Sequence, residues 1–163
     1  MTLSIKRYLV PSDYSAAESW RLVQWCKSIG ADEFTIDLLA NDSASANLRR
    51  LQFDEMVGPF SLGSAVRERM SGRTADDLTR ATERWALNES LLEALNAVLP
   101  DGIFHYEPLQ GAWFENPILY RDGGLMLGVL SHEAFAVLRL RDYEMAALAA
   151  AGFLTHDSLP RIG

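Results

Sequence analysis

The sequence predicts an α+β fold: a mixed sheet of about five strands, with helices packed mainly on one face. Three observations lead to this prediction. Residues 112–140 contain three strand-like segments joined by two short turns, which is typical of a C-terminal antiparallel meander. Residues 3–40 follow a strand, helix, strand order, which is typical of a βαβ unit. Between these two parts, apolar residues recur at helical spacing.

The N-terminal unit begins with alternating residues at 3–10, which predict its first strand. Ser15 and Glu18 have the spacing of a capping box, so a helix should begin there, and Gly30 should end it. A second alternating segment at 33–40 predicts the second strand. If the two strands are neighbours in one sheet, they should be parallel and joined by a right-handed crossover.

The middle of the chain is predicted to be mainly helical. Apolar spacing predicts a short helix at 48–56, one or two helical turns at 64–70 and a long helical stretch at 74–99. Asn88 lies within the long stretch, either as a buried polar group or as the N-cap of a second helix, and we favour a break or kink there. Residues 103–106 predict a short strand before the meander.

The meander begins with an aromatic and β-branched segment at 113–120. Pro117 has no N–H for a strand ladder and therefore predicts an edge strand or a bulge. Asp122-Gly123-Gly124 supply the positive φ angles of a tight hairpin turn. The next segment, 125–130, is almost wholly apolar, which predicts a strand covered on both faces. Gly128 within it should make room for a neighbouring aromatic side chain or, alternatively, allow the close approach of a backbone or ligand.

The last strand of the meander follows a turn at 131–133. Alternate residues of 134–140 should point to opposite faces of the sheet, and Arg139 indicates that one face meets solvent or an acidic group there. Asp142 is the expected N-cap of a final helix, and Gly152 is the expected left-handed residue after its end.

The composition is that of one ordinary globular domain. The 163 residues are 48% hydrophobic and 23% charged, and we expect a single α+β domain at 1–153 followed by a loosely ordered C-terminal tail at 154–163. No apolar run approaches the roughly 20 residues that span a bilayer, and the N-terminus lacks the apolar core of a signal peptide. Together with the single cysteine, Cys26, this predicts a cytoplasmic protein without membrane contact.

The formal net charge of −7 disfavours binding to nucleic acid, whose phosphates require a positive surface. The same charge is compatible with a basic protein partner, and a homodimer is an alternative. Lysine occurs only at Lys6 and Lys27, whereas arginine, alanine and leucine are abundant, a bias that we expect of a GC-rich bacterial source.

The histidines near the meander are the candidate chemical groups. His105 and His132, with the carboxylates of Glu107, Glu115 and Glu133, could bind a metal or act as acid and base. Their spacing matches no compact metal motif, however, and adjacent residues such as His132 and Glu133 point to opposite faces of a strand. The alternative is a polar turn with ordinary surface residues, and it predicts no metal and no cofactor.

Aromatic residues are concentrated at the start of the meander. If Trp113 or Phe114 faces solvent on an edge strand, these residues and Tyr120 form a plausible hot spot for a protein partner or a symmetric dimer. The alternative is that they form the core face of the sheet. Cys26 lies on the apolar stripe of the first helix, which favours a small buried hydrophobe over a nucleophile.

These patterns favour a noncatalytic protein-binding or regulatory module of the immunity type. The first alternative is a small metal-dependent or acid–base enzyme that uses His105, His132 and nearby carboxylates. The second alternative is a small-ligand-binding protein with a pocket between the sheet and the long helix, where Gly128 allows close approach. Convergence of the histidines and carboxylates in one pocket would favour the enzyme, and dispersal over the surface would exclude it.

Overall fold

The computed structural model describes residues 4–10, 14–40, 43–70, 78–106, 112–153 and 161–162. In these residues the strands are β1 (Ile5–Val10), β2 (Glu33–Leu38), β3 (Ser61–Arg69), β4 (Leu78–Ala86), β5 (Phe114–Arg121), β6 (Gly124–Leu130), β7 (Phe135–Arg141) and β8 (Arg161–Ile162). The helices are α1 (Ala16–Ser28), α2 (Ala44–Val57), α3 (Glu89–Val98) and α4 (Asp142–Ala150). The predicted α+β class is therefore confirmed.

The eight strands belong to one sheet, in the order β3-β4-β2-β5-β6-β7-β1-β8. Every pairing of neighbouring strands in the described residues is antiparallel. The prediction of a mixed sheet of about five strands is wrong in both respects. Seven strands have six or more residues, and the two-residue β8 lies at one edge.

The predicted βαβ unit lacks its parallel pair. β1 and β2 run in the same direction, but β5, β6 and β7 lie between them. β1 pairs with β7, from Ile5 opposite Arg141 to Val10 opposite Ala136, and β2 pairs with β5 and β4. The meander thus occupies the centre of the sheet, because its two outer strands each offer a free edge on which an N-terminal strand pairs.

The meander itself is confirmed as three antiparallel strands, β5, β6 and β7. The hairpin turn has positive φ at Asp122 and Gly123, as predicted. Pro117 lies in a central strand, so the edge-strand alternative is wrong, and the bulge alternative is confirmed. Thr35 lies opposite Ile118 but Asp37 opposite Glu115, which leaves β5 with one extra residue at Asn116-Pro117.

Helix ends agree with the local sequence signals. Ser15 and Glu18 form the predicted capping box at α1. Asn88 is the N-cap of α3, where its Oδ1 accepts a hydrogen bond from the Leu91 N–H at 2.8 Å. Gly152 has φ +82 just after α4. The N-cap of α4 is Arg141, so the expectation for Asp142 is wrong by one residue.

Two predicted helical segments are strands. Residues 64–70 lie largely in β3, and residues 78–86 form β4, whereas 71–77 lie outside the described residues. The apolar spacing in these segments fits either a helix or a strand, and pairing of β3 with β4 along their length favours the strand. Residues 103–104 form a turn and residues 105–106 have no regular secondary structure, so the short strand predicted at 103–106 is wrong.

One face of the sheet carries the main core. Buried side chains from all four helices and from the strands form a single apolar cluster there. Representative members are Leu22 of α1, Phe53 of α2, Leu91 of α3 and Leu148 of α4, each no more than 1% exposed. Sheet residues complete the cluster with Ala136, Leu138 and Leu140 on this face of β7, as the alternation of 134–140 predicts.

The opposite face of the sheet is covered by the end of β3. Met70 follows β3 and packs on two small apolar clusters of the meander and β1. It lies directly over Gly128, where an added Cβ would come within 2.5 Å of the Met70 Sδ. Gly128 therefore makes room for a neighbouring side chain, although this side chain is a methionine and not the predicted aromatic residue.

The predicted tail is described only at β8, which pairs with β1 at Arg7 and Tyr8. The remaining tail residues, 154–160 and 163, lie outside the described residues. Within the described part of the chain, no helix is long and apolar enough to cross a membrane.

Candidate functional site

Large apolar side chains that remain exposed are concentrated in one stretch of the described residues. Five of seven lie between positions 48 and 66: Leu48 (57% exposed), Leu51 (63%), Met56 (42%), Leu62 (44%) and Val66 (63%). The first three belong to α2 and the other two to β3. We call these five residues the exposed apolar segment.

The packing of α2 explains why its leucines face outward. Ala46, Phe53 and Val57 recur at helical spacing and are buried against the main core. Phe53 makes edge contacts with two tryptophan rings, at centroid distances of 5.5 and 5.7 Å. At 100° per residue, Leu48 and Leu51 lie on the opposite side of the helix, one turn apart. A stripe of leucines is therefore left outside the core.

The β3–β4 hairpin is joined to the sheet by ion pairs. Glu33 of β2 accepts two hydrogen bonds from Arg67, at 2.9 and 3.0 Å, and one from Arg84 at 2.6 Å. Hydrogen bonds from Arg67 outweigh the opposing effect of burial, and with Arg84 they hold the pKa of Glu33 below its usual value. Arg139 of β7 pairs with Glu68. The predicted acidic group near Arg139 is thus present.

A second polar cluster lies beneath the end of β3. Arg69, 6% exposed, donates to Thr35 at 2.9 Å and pairs with Asp37. The Tyr120 hydroxyl donates to the Glu68 carbonyl at 2.6 Å. Burial raises the pKa of Tyr120 above its usual value. These buried groups satisfy one another, so the cluster fixes the position of the hairpin.

His132 lies beside an open polar cleft at the bulge of β5. Its Nδ1 is 3.8 Å from the Glu115 Oε2, and Glu115 lies opposite Asp37 in the neighbouring strand. The cleft has a volume of about 450 Å³ and is lined by Asp37, Glu83, Glu115 and Arg50 among other residues. The 3.8 Å separation exceeds the length of a direct hydrogen bond, so proton exchange between His132 and Glu115 would require a closer approach or a bridging water molecule. Glu133 follows in an exposed turn.

His105 lies elsewhere, at the rim of a separate cavity. That cavity has a volume of about 150 Å³ and is bounded by α2, the end of α3 and the start of β5. The His105 Nε2 is 4.0 Å from the Asp101 Oδ2, so each histidine has its own carboxylate. Glu107 lies outside the described residues. Within the described ranges, no three His, Cys, Asp or Glu side chains are grouped so that they could hold a metal ion.

The aromatic residues of the meander do not face solvent. Trp113 is 3% exposed, Phe114 8% and Tyr120 0%. The Trp113 and Phe114 rings meet edge to face at 4.8 Å in the main core, and Tyr120 faces the opposite side of the sheet. The condition for an aromatic hot spot is therefore not met, because β5 is a central strand covered on both faces.

Cys26 is buried in α1, as its place on the apolar stripe indicates. Burial raises the pKa of its thiol to about 12. Close to it, Arg121 makes two hydrogen bonds to the Glu144 carboxylate, at 2.5 and 3.2 Å. A thiol in this setting is protonated at neutral pH and does not act as a nucleophile.

The apolar spacing of the sequence predicts a helix that includes Leu48 and Leu51, but it does not identify them as an exposed surface. Two stripes at helical spacing overlap in α2, one with these leucines and one with Phe53 and Val57. The larger aromatic side chain in the second stripe is the signal that could have assigned it to the core.

Comparisons with known proteins add no relative: the chain matches no protein-family model, and no curated protein or solved structure is significantly similar to it.

Proposed function

We propose that this protein is a noncatalytic, immunity-type binding module that docks a positively charged protein through the exposed apolar segment. The observation that carries this proposal is the concentration of five exposed apolar side chains on α2 and β3. A row of exposed leucines at i and i+3 is the arrangement with which a helix contacts an apolar surface of a partner. Clusters of this kind on a protein surface commonly mark interaction sites.

Charge supports a basic partner. The chain has 22 acidic and 15 basic side chains. On the outer side of α2, Glu55 lies one turn beyond Leu51 and is exposed, and Asp54 beside it is also exposed. The polar cleft with Asp37, Glu83 and Glu115 opens next to α2, since Arg50 of that helix lines it. Arg49 and Arg50 lie between the two leucines, but the carboxylates beyond them and the net charge of −7 favour a partner surface with an apolar centre and a basic rim.

β3, the other element of the exposed apolar segment, offers a second mode of contact. It is an edge strand that pairs only with β4 among the described strands. An exposed strand edge presents backbone groups to which an extended segment of a partner can pair. Leu62 and Val66 lie on this strand, so a partner segment that pairs with it would also contact exposed apolar side chains.

The test uses Leu48→Ser/Leu51→Ser as the altered protein and Ile5→Ser/Tyr143→Ser as the matched control, which removes two exposed apolar side chains elsewhere. Proteins from the source organism that bind the immobilised chain would be identified and purified, and their affinities measured by calorimetry at several salt concentrations. We expect a basic partner whose affinity falls at least about tenfold in the leucine variant only and decreases with added salt.

Three outcomes would contradict the proposal. The first is a partner that binds the leucine variant and the control equally well. The second is a partner whose affinity does not depend on salt. The third is self-association, seen by light scattering as a dimer that the leucine variant loses, because the surface would then serve a second copy of the chain.

Acid–base catalysis by the two histidines together fails the condition of convergence, because His105 and His132 lie apart with separate carboxylates. A site formed by His132 and Glu115 alone, 3.8 Å apart beside the open cleft, is the second candidate. Its test is the hydrolysis of generic ester and phosphoester substrates by the purified chain. Turnover that His132→Ala abolishes and His105→Ala leaves intact would support it. Turnover unaffected by His132→Ala, or no turnover, would contradict it.

A further inference from the structure

We propose that the cavity beside Trp113 is a binding site for a small aromatic carboxylate. The cavity lies between α2, the C-terminal end of α3 and the start of β5, and its volume is about 150 Å³. An apolar cavity of about 150 Å³ in another protein accommodates one benzene ring. Size therefore limits the ligand to a single ring with a small substituent.

The inner walls of this cavity are apolar and fixed in position. Leu99, Trp113 and Phe114 line it and are each less than 10% exposed. The Trp113 ring is held by edge contacts with Phe53 and Phe114, at 5.7 and 4.8 Å. Its backbone carbonyl accepts a hydrogen bond from the Leu39 N–H at 2.9 Å. A ligand ring would enter a preformed aromatic wall and would not have to order it.

The mouth of the cavity is polar and carries hydrogen-bond donors. Arg49 and Gln52 line it from one side of α2, three residues apart, and His105 lines it from the opposite segment. All three side chains are exposed. The rim also carries one carboxylate, that of Asp101, whose Oδ2 lies 4.0 Å from the His105 Nε2. The guanidinium of Arg49 matches the geometry of a carboxylate, which selects an anionic substituent on the ring.

This inference is independent of the proposed protein partner. The cavity is lined by Arg49 and Gln52 of α2, whereas none of the five residues of the exposed apolar segment lines it. The Leu48→Ser/Leu51→Ser protein should therefore bind the small ligand as the unaltered chain does, so failure of one proposal leaves the other to be judged separately.

The probe is benzoate. Two matched ligands serve as controls: benzylammonium has the ring with the opposite charge, and acetate has the carboxylate without the ring. Binding would be followed through the indole N–H signal of Trp113 in NMR spectra, assigned with Trp113→Phe. We expect saturable benzoate binding in roughly the millimolar range or tighter. Benzylammonium and acetate should each bind at least about tenfold more weakly than benzoate, because benzylammonium lacks the negative charge and acetate lacks the ring.

Two variants and a control locate the site. Arg49→Gln should weaken benzoate at least about tenfold, and Ala97→Phe, a substitution at an exposed position on the cavity wall, should block it. Arg21→Gln, an arginine stacked on Phe153 away from the cavity, should leave binding unchanged. No saturable shift at Trp113, equal binding of benzylammonium, or benzoate binding unaffected by Ala97→Phe would overturn the proposal.

Discussion

The buried ion pair between Arg121 and Glu144 should be essential for stability once one partner is removed. Both side chains are largely inaccessible, with 12% and 5% exposure. The guanidinium makes two hydrogen bonds to the carboxylate and a third, at 3.3 Å, to the Ile29 carbonyl at the end of α1. The pair therefore connects β5, α4 and α1. Glu144→Leu would leave the Arg121 charge buried without its counter-ion.

The expected loss of unfolding free energy in Glu144→Leu follows from the burial of the ion pair. Removal of one partner from a buried pair typically costs about 3–5 kcal/mol of unfolding free energy. At about 3 kcal/mol, the midpoint of thermal unfolding of a chain of this size should fall by roughly 6–12 °C. The double variant Arg121→Met/Glu144→Leu removes both charges and should regain most of this loss. We expect it to remain about 1 kcal/mol below the unaltered protein, because the Arg141 N–H loses its acceptor.

The pH dependence has a definite sign. Burial acts to raise the pKa of Glu144, but hydrogen bonds from Arg121 and the Arg141 N–H outweigh it, and the pKa lies below its usual value. A carboxylate whose pKa is lowered by folding stabilises the fold at pH values above its pKa in the unfolded chain. This contribution is lost as the pH falls through its pKa in the folded protein. The difference in stability between the unaltered protein and Glu144→Leu should therefore be largest near pH 7 and should shrink below about pH 4.5.

Urea unfolding followed by tryptophan fluorescence would give the four free energies of the double-mutant cycle. The control is Glu89→Gln, which removes an exposed glutamate that pairs with Lys27 at the surface, and it should leave the unfolding midpoint unchanged. Unfolding of Glu144→Leu at the same urea concentration as the unaltered chain would contradict this prediction. A double variant whose loss of stability equals the sum of the losses of the two single variants would also contradict it.

Three further predictions concern stability and reactivity. Gly128→Ala should destabilise the fold by about 1–3 kcal/mol in urea unfolding, because the new methyl group meets Met70, and Met70→Ala in the same chain should restore part of the loss; an additive double variant would contradict this. Cys26 should react with a thiol reagent at pH 8 only after unfolding, since burial raises its pKa to about 12, and rapid labelling of the folded protein would contradict this. Asn88→Ala should cost about 1 kcal/mol by leaving the Leu91 N–H without its cap, whereas Asn88→Asp should retain it; equal stability of the two variants would show that the cap contributes nothing.

Features fixed by nearby residues were predictable from the sequence. The capping box of Ser15 and Glu18, the cap at Asn88 and the turn at Asp122-Gly123 each depend on hydrogen bonds or backbone angles within a few positions. Such signals act before any tertiary contact forms. The sequence therefore located the ends of α1 and α3 and the hairpin of the meander.

Features decided by distant partners were not predictable in the same way. The segment of β3 has arginines and a glutamate at positions that suit a solvated helix as well as a strand. In the fold, Arg67 pairs with Glu33 and Arg69 with Asp37, more than 30 positions earlier in the chain. The candidate surface was missed for a related reason, because the exposure of Leu48 depends on the burial of Phe53 against Trp85 and Trp113.

The pairing of β1 with β7 has a consequence for the order in which the chain folds during synthesis. The partners in this pair, such as Tyr8 and Leu138, are about 130 positions apart, so β1 emerges from the ribosome long before its neighbour exists. The β5–β6 and β6–β7 hairpins join residues close in sequence and form without such a delay. Closure of the long loop is costly in entropy. We therefore expect β1 to be the last long strand to join the sheet, so that the apolar sides of β1 and α1 stay exposed in a nascent chain until the meander is complete.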